Sequence, residues 1–241
     1  MSWPMPEGAV LGIFGKQPEP GKVKTRLAAE FGDDFAAEAH EAMLLDTLEA
    51  WGTDRYLAPG GRRVFVFSPE GAGPWFDRVV PRGLAMQAQA AGDLGARLQA
   101  FFEGEFAEGA SRVVVIGSDS PTLDPSIVIS AFLCLDQKDV VIGPSTDGGY
   151  YLIGSRVPVP SLFQGIDWST AGVLGQTLDR LRGSGRSLAV LPPWYDVDTP
   201  DDWRSLGAHV RAMRLSGMDP ALRRVEALLP RVLPAPGAPP R

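Results

Sequence analysis

The 241-residue sequence has one cysteine, two histidines, no long apolar run and no excess of positive charge, and each shortage removes a class of function. A lone thiol, Cys134, cannot close an internal disulfide, so a reducing, cytoplasmic setting is expected rather than a disulfide-stapled secreted fold. Cys134 lies in AFLCL, which reads as a buried helix where a thiol packs rather than reacts. No stretch approaches the roughly 20 apolar residues of a membrane span, and no basic segment with an apolar core behind it opens the sequence. Membrane insertion and export are therefore not expected. A formal charge of −6 lacks the broad basic surface that displaces counterions from nucleic acid. The two histidines, His40 and His209, sit in helical stretches away from the acidic motifs and read as surface or interhelix residues. Any metal is left to oxygen ligands.

What is present is an alternation of strands and helices. AVLGIFG (9–15), RVFVFS (63–68), SRVVVIGSD (111–119), KDVVIGPS (138–145), YYLIG (150–154) and SLAVLP (187–192) are short β-branched or aromatic runs, with a weaker candidate at 83–89. Their near-continuous apolar character predicts a mostly parallel sheet covered on both faces. Between them, 33–51 carries Phe35, Ala39, Ala42, Leu45 and Leu48 as one helical stripe, with Asp33 or Asp34 as its cap. The stretches 93–106, 124–135 and 169–181 read as further helices. Another begins at Pro200 with Thr199 as N-cap. The alternation predicts an α/β sandwich. Residues 1–206 form the expected domain, 207–229 a helical appendage that either packs on it or serves self-association as a homo-oligomer, and 230–241 a proline-rich disordered tail.

Three polar motifs follow strands, where open α/β sheets bind ligands. The first is the loop carrying Gly15, Lys16, Gly21, Lys22, Lys24 and Arg26. Its glycines permit close backbone approach, and Lys24 and Arg26 enter a helix whose N-terminus favours anions. This reads as a cradle for nucleotide phosphates, the alternative being a solvated turn-rich loop. The second is GSDSP (117–121), which puts Ser118 and Asp119 at a strand end. The third is DVDTPDD (196–202), where Asp196 and Asp198 flank Val197 and point the same way in an extended segment. Such carboxylates repel unless a metal ion, arginine or lysine stands between them. Asp119, Asp196 and Asp198 are thus the candidate metal ligands, and all-oxygen ligation selects Mg2+ first and Mn2+ second. Asp201 and Asp202 suit a helix first turn. Asp147-Gly148-Gly149-Tyr150 reads as a hairpin turn on the same rim, either a plain turn or an acceptor-proximal element.

With KQPEPGKVKTRLA, QAAGDLGARL, GSDSPTL, DVVIGPSTDGGYYLIG, IDWST and DVDTPDDW in one order, the chain resembles a bacterial family of glycosyltransferase-A-like proteins labelled nucleotide-diphospho-sugar transferases. That family is similar to a wider group containing molybdenum-cofactor and 2-phospho-lactate guanylyltransferases. The resemblance covers about residues 10–206. It implies the nucleotide-diphospho-sugar transferase fold, a Rossmann-like three-layer α/β/α sandwich with a mostly parallel central sheet, phosphate binding by Lys16, Lys24 and Arg26, metal binding by Asp119, Asp196 and Asp198, and a base- or acceptor-proximal role for Gly92-Asp93. The central strand ends in Ser118-Asp119-Ser120 where glycosyltransferases of this fold carry Asp-X-Asp, and the loop lacks the glycine pair of the nucleotidyltransferases. The implied function is therefore metal-dependent transfer from a nucleotide donor to a small acceptor. It is either nucleotidyl transfer to a phosphorylated acceptor or glycosyl transfer from a nucleotide sugar, with Lys24, Arg26 and Asp119 as catalytic residues. A non-catalytic nucleotide-binding or regulatory module of the same fold is the alternative.

Overall fold

The computed structural model describes residues 2–159 and 161–232. The chain runs through β1 (Trp3–Pro4), β2 (Ala9–Lys16), α1 (Thr25–Phe31), α2 (Asp33–Gly52), β3 (Leu57–Ala58), β4 (Arg62–Ser68) and α3 (Gly73–Phe76). It continues through β5 (Ala85–Ala88), α4 (Leu94–Ala107), β6 (Arg112–Gly117), α5 (Pro125–Cys134), β7 (Val140–Pro144) and β8 (Tyr150–Ser155). It ends with α6 (Val173–Ser184), β9 (Leu188–Val190), α7 (Pro200–Leu215) and α8 (Arg223–Val232).

Seven strands form one sheet in the order β5-β4-β2-β6-β8-β7-β9. All neighbours are parallel except β8, which runs against both β6 and β7. The sheet is mostly parallel, as its apolar strands require, because crossover helices cover both faces. Leu44, Leu48, Phe76, Val128 and Phe132 from α2, α3 and α5 pack on one face. Leu98, Phe101, Phe102 and Leu181 from α4 and α6 pack on the other. The result is a three-layer α/β/α sandwich. The chain leaves β2 toward β4 on one side and β6 on the other, so the strand order reverses there and opens a crevice at the carboxyl ends of β2 and β6.

A third apolar cluster joins Leu27 of α1, Phe35, Ala39 and Met43 of α2, Trp203, Leu206 and Val210 of α7 and Val225 of α8. Helix α2 is thus buried on two sides, against the sheet and against the C-terminal helices. A single stripe accounts for only part of it, and Leu45 of that stripe is only partly buried. The boundary expected at 206/207 falls inside α7, which is one continuous helix. Its start follows expectation: Thr199 caps it in a reciprocal capping box with Asp202, and Pro200 takes the first turn. Helix α2 differs, since its N-cap is Gly32 and neither Asp33 nor Asp34 caps it. Helix α6 begins at Val173, later than expected, because residues from Ile166 to Gly172 fold as turns closed on one another. Helix α8 runs through Pro230 to Val232, so the expected tail begins later than 230, and its remainder from 233 lies outside the described residues.

Candidate active site

The crevice at the strand-order reversal is a cavity of about 290 Å³. Lys16, His40, Arg97, Ser118, Asp119 and Asp196 are among the side chains lining it. Strand β2 ends at Lys16 and β6 at Gly117, so the loops after two adjacent parallel strands face each other across the opening.

Lys24 organises the centre. It is the N-cap of α1 in the left-handed region, with φ 47°. A side chain of this kind costs about 1–3 kcal/mol there, so other contacts must hold it. Its ammonium does so, lying 2.5 Å from Asp119 Oδ1 and 2.7 Å from Asp198 Oδ1 while only 4% of the side chain is exposed. Arg26 Nη2 donates to the other oxygen of Asp198 at 3.0 Å. Burial opposes the Lys24 charge, but Asp119 and Asp198 outweigh it and raise its pKa. Burial likewise pushes the Asp119 carboxyl up, and Lys24 more than reverses that, leaving it below the usual carboxylate range. Two carboxylates 79 residues apart in sequence thus meet on a lysine, whereas the pair that the sequence spacing selects is Asp196 with Asp198.

Asp196 turns elsewhere. Its two oxygens accept from the hydroxyls of Ser120 and Ser145, the second at 2.8 Å. Burial, only partly offset by the Ser120 bond, pushes its pKa up to about 6. Val197 between the two acids is fully buried, so the alternation places the valine correctly, but the acids separate onto different partners.

His40 corrects the expectation of a surface or interhelix residue away from the acidic motifs. It is buried on α2, its Nε2 lies 2.9 Å from the Lys16 carbonyl, and its Nδ1 has no partner 3.9 Å from Asp119 Oδ1. Burial lowers its pKa, so the ring is neutral with the lone pair on Nδ1. The sequence signal was a polar residue among the buried alanines of α2, a helix that also buries Asp46 and Thr47. His209 does sit between elements, its Nδ1 2.9 Å from Tyr195 OH.

The other expected loop residues divide. Lys16 lines the cavity and donates to the Lys22 carbonyl, closing the loop on itself. Gly15 lines the cavity and must lack a side chain, because a Cβ there would meet Leu44 and Phe65 at 2.7 and 2.8 Å. Gly21 makes the turn at φ 74° outside the cavity lining, and Lys22 pairs with Glu19. Asp93 spends its carboxylate capping α4 through the Ala96 N–H. Gly92, at φ 109°, gives its carbonyl to Arg97 Nε. The cleft-facing groups of this segment are Gln89 and Arg97, passed over in the sequence. Arg97 was marked by its place in the first turn of α4, where the helix dipole disfavours a cation by a few tenths of a kcal/mol. At the hairpin, Tyr150 lines the cavity while Asp147, Gly148 and Gly149 form the turn outside that lining. A Cβ on Gly148 would lie 2.4 Å from the Ala171 carbonyl, and Asp147 accepts the Gly149 N–H, so this turn serves packing. Burial raises the Tyr150 hydroxyl well above its ordinary range.

Among the described residues, no group of three His, Cys, Asp or Glu side chains is arranged to hold a metal ion. The expected cage of Asp119, Asp196 and Asp198 is therefore not assembled. Asp119 and Asp198, partly exposed and converging on one cation, match instead the one or two carboxylates by which magnesium is held when phosphates and water supply the rest. No helix among the described residues is long and apolar enough to cross a membrane.

Comparisons with known proteins agree with this architecture. The family described as "Uncharacterized protein conserved in bacteria (DUF2064)" matches residues 54–170. A 3-phospho-D-glycerate guanylyltransferase from Phenylobacterium zucineum (strain HLK1) is 36% identical over 194 residues, spanning 74% of this chain and 81% of that protein. A crystal structure from Desulfovibrio desulfuricans G20, assigned as a nucleotide-diphospho-sugar transferase, superposes with a TM-score of 0.81 at 32% identity, over 93% of this chain and 98% of that one. The inositol-1-phosphate CTP transferase of T. maritima shares the fold, with a TM-score of 0.54 at 15% identity over 91% of this chain and 96% of its own.

Proposed function

The chain belongs to the bacterial DUF2064 family, and we propose that it transfers a nucleotidyl group from a nucleoside triphosphate to a phosphorylated small acceptor, with guanosine triphosphate as donor. The observation that carries this reading is the convergence of Lys24 and Arg26 with Asp119 and Asp198 at the crevice where the strand order reverses. The 36% identity to a guanylyltransferase supports the choice of donor and favours a phosphorylated hydroxy acid as acceptor.

In the reaction, an acceptor phosphate oxygen attacks the α-phosphorus of the donor, and the bond to pyrophosphate breaks in line. No protein nucleophile is needed, so the chain contributes position and charge. Lys16, Lys24 and Arg26 meet the phosphate oxygens from the loop after β2. The cluster of two cations and two carboxylates carries no net charge by itself, so a triphosphate calls for a further cation. Asp119 and Asp198 would hold Mg2+ or Mn2+, which supplies positive charge at the transferring phosphoryl group. Neutral, buried His40 fixes the end of β2 through the Lys16 carbonyl and thereby the start of the phosphate loop.

The test is pyrophosphate release from each nucleoside triphosphate with magnesium, with and without 3-phosphoglycerate. Release that requires both substrates is the expected result. Cleavage of a nucleotide sugar to a nucleoside diphosphate without pyrophosphate would replace the reading with glycosyl transfer, and donor binding without any turnover would replace it with a binding module.

A further inference from the structure

Arg97 is held ready for a ligand by contacts that do not use up its hydrogen-bonding capacity. Gln89 follows β5 and donates through Nε2 to the Val66 carbonyl at 2.9 Å and the Gly15 carbonyl at 3.3 Å. Two carbonyls can be met only by the amide NH2, so the Gln89 oxygen must face the other way. It accepts from Arg97 Nη1 at 3.2 Å, while Arg97 Nε donates to the Gly92 carbonyl at 2.9 Å. A guanidinium has five N–H donors, and these bonds engage two of them. Among the described residues Arg97 has no carboxylate partner, in contrast to Lys24 and Arg26 in the same crevice. The remaining donors belong to a side chain that lines the cavity beside Phe14, Leu94 and Leu98.

The position in the sheet says which part of a nucleotide would lie there. Gln89 reaches across the ends of β5, β4 and β2, whereas the Lys24–Asp119 pair stands at β6, on the far side of β2. With strands about 4.8 Å apart, the Gln89 amide, bonded to β4 and β2, stands roughly one to two strand spacings from β6, and Arg97 lies on its far side. Phosphates held at Lys24 and Asp119 place the other end of the nucleoside, its base, over the apolar wall at Arg97.

We propose that Arg97, oriented by Gln89, determines base specificity, reading the O6 and N7 acceptors of guanine with its free N–H edge. A fixed planar fork matches two adjacent acceptors, and adenine offers N7 beside a donor at the same edge, which repels it. This inference rests on the nucleotidyl-transfer reading and adds the residue that selects the donor.

The test compares kcat/KM from pyrophosphate release. In the wild type, guanosine triphosphate should exceed adenosine triphosphate, inosine triphosphate should retain activity because O6 and N7 remain, and 7-deaza-guanosine triphosphate should lose about tenfold or more. Arg97→Met should lower the guanosine value about ten- to a hundredfold and leave the adenosine value nearly unchanged, and Arg97→Lys should fall between. The 7-deaza comparison uses the native chain and stands even if a variant misfolds. An equal loss for all triphosphates in Arg97→Met would make the residue a phosphate clamp and overturn the proposal. So would full activity with the 7-deaza analogue, or a native preference for another base, and both would leave nucleotidyl transfer intact. Pyrophosphate release from no triphosphate would remove both readings together.

Discussion

Two acid–base clusters border α2, one beside His40 and one at Asp46, and they are built inside out from one another. In the crevice the cation is buried and the acids face outward: Lys24 is 4% exposed, Asp119 44% and Asp198 30%. At the C-terminal helices the acid is buried, Asp46 being 1% exposed, and its partner Arg224 is 44% exposed. Asp46 accepts the backbone N–H groups of Arg224 and Val225, each at 3.0 Å, and the Arg224 guanidinium at 2.9 Å. It thus caps the first turn of α8 from a residue 178 positions away. Every contact of that carboxylate serves docking. In the crevice Asp119 lines the cavity, and Asp198 keeps carboxylate surface exposed on the other side of Lys24. A closed set of partners marks structure, and an open set around a buried charge marks a place for a ligand.

Substitutions can break this contrast, beginning with the largest effect. Asp119→Asn should lower turnover at least about a thousandfold, roughly 4 kcal/mol, while the protein stays folded at the assay temperature because Asp198 still pairs with Lys24. Full activity would remove Asp119 from the chemistry. Asp46→Ala should do the reverse. It leaves two helix N–H groups unpaired and the Arg224 guanidinium with Glu49 alone, which costs about 3 kcal/mol of stability in urea unfolding, with donor affinity of the folded protein unchanged.

Asp196 sharpens the comparison, being half-buried and lining the crevice. Its pKa lies near 6 when folded against an ordinary 3.8. Between those values the folded chain holds a proton that the unfolded chain has lost, so raising the pH through this window removes up to about 3 kcal/mol from the native protein. Asp196→Asn has no such loss. Thermal unfolding at several pH values should show the variant gaining on the wild type from about pH 4 to 6, and a constant difference would contradict the burial argument. Arg26→Ala gives the smallest change. Its guanidinium is 66% exposed, so stability should shift by less than about 1 kcal/mol, with a several-fold loss in donor KM as the main readout.

Much of the fold was legible because its signals are local. Strand ends at Lys16 and Gly117, the Thr199-Pro200 helix start and the hairpin at Asp147–Gly149 each follow from a few neighbouring residues whose backbone preferences agree. The places where reading went astray are those where a distant segment decided the outcome. Asp33 and Asp34 suit a cap, but the chain reaches α2 through Gly32. Asp196 and Asp198 suit one shared cation, but Ser120 and Ser145 claim Asp196 while Lys24 claims Asp198. His40 has a helical address in sequence and a crevice address in space, because α2 crosses behind β2.

The sequence by itself determined that carboxylates and cations would follow parallel strands, since alternation and apolar runs dictate a covered sheet whose loops emerge at one edge. Only the tertiary structure decided their pairing. Asp119 and Asp198 meet on Lys24, Asp196 turns to two serines, and Gln89 hands Arg97 to the crevice. Electrostatic partners are chosen by distances of a few ångströms between segments far apart along the chain, and such distances exist only once the sheet has been assembled in its particular strand order.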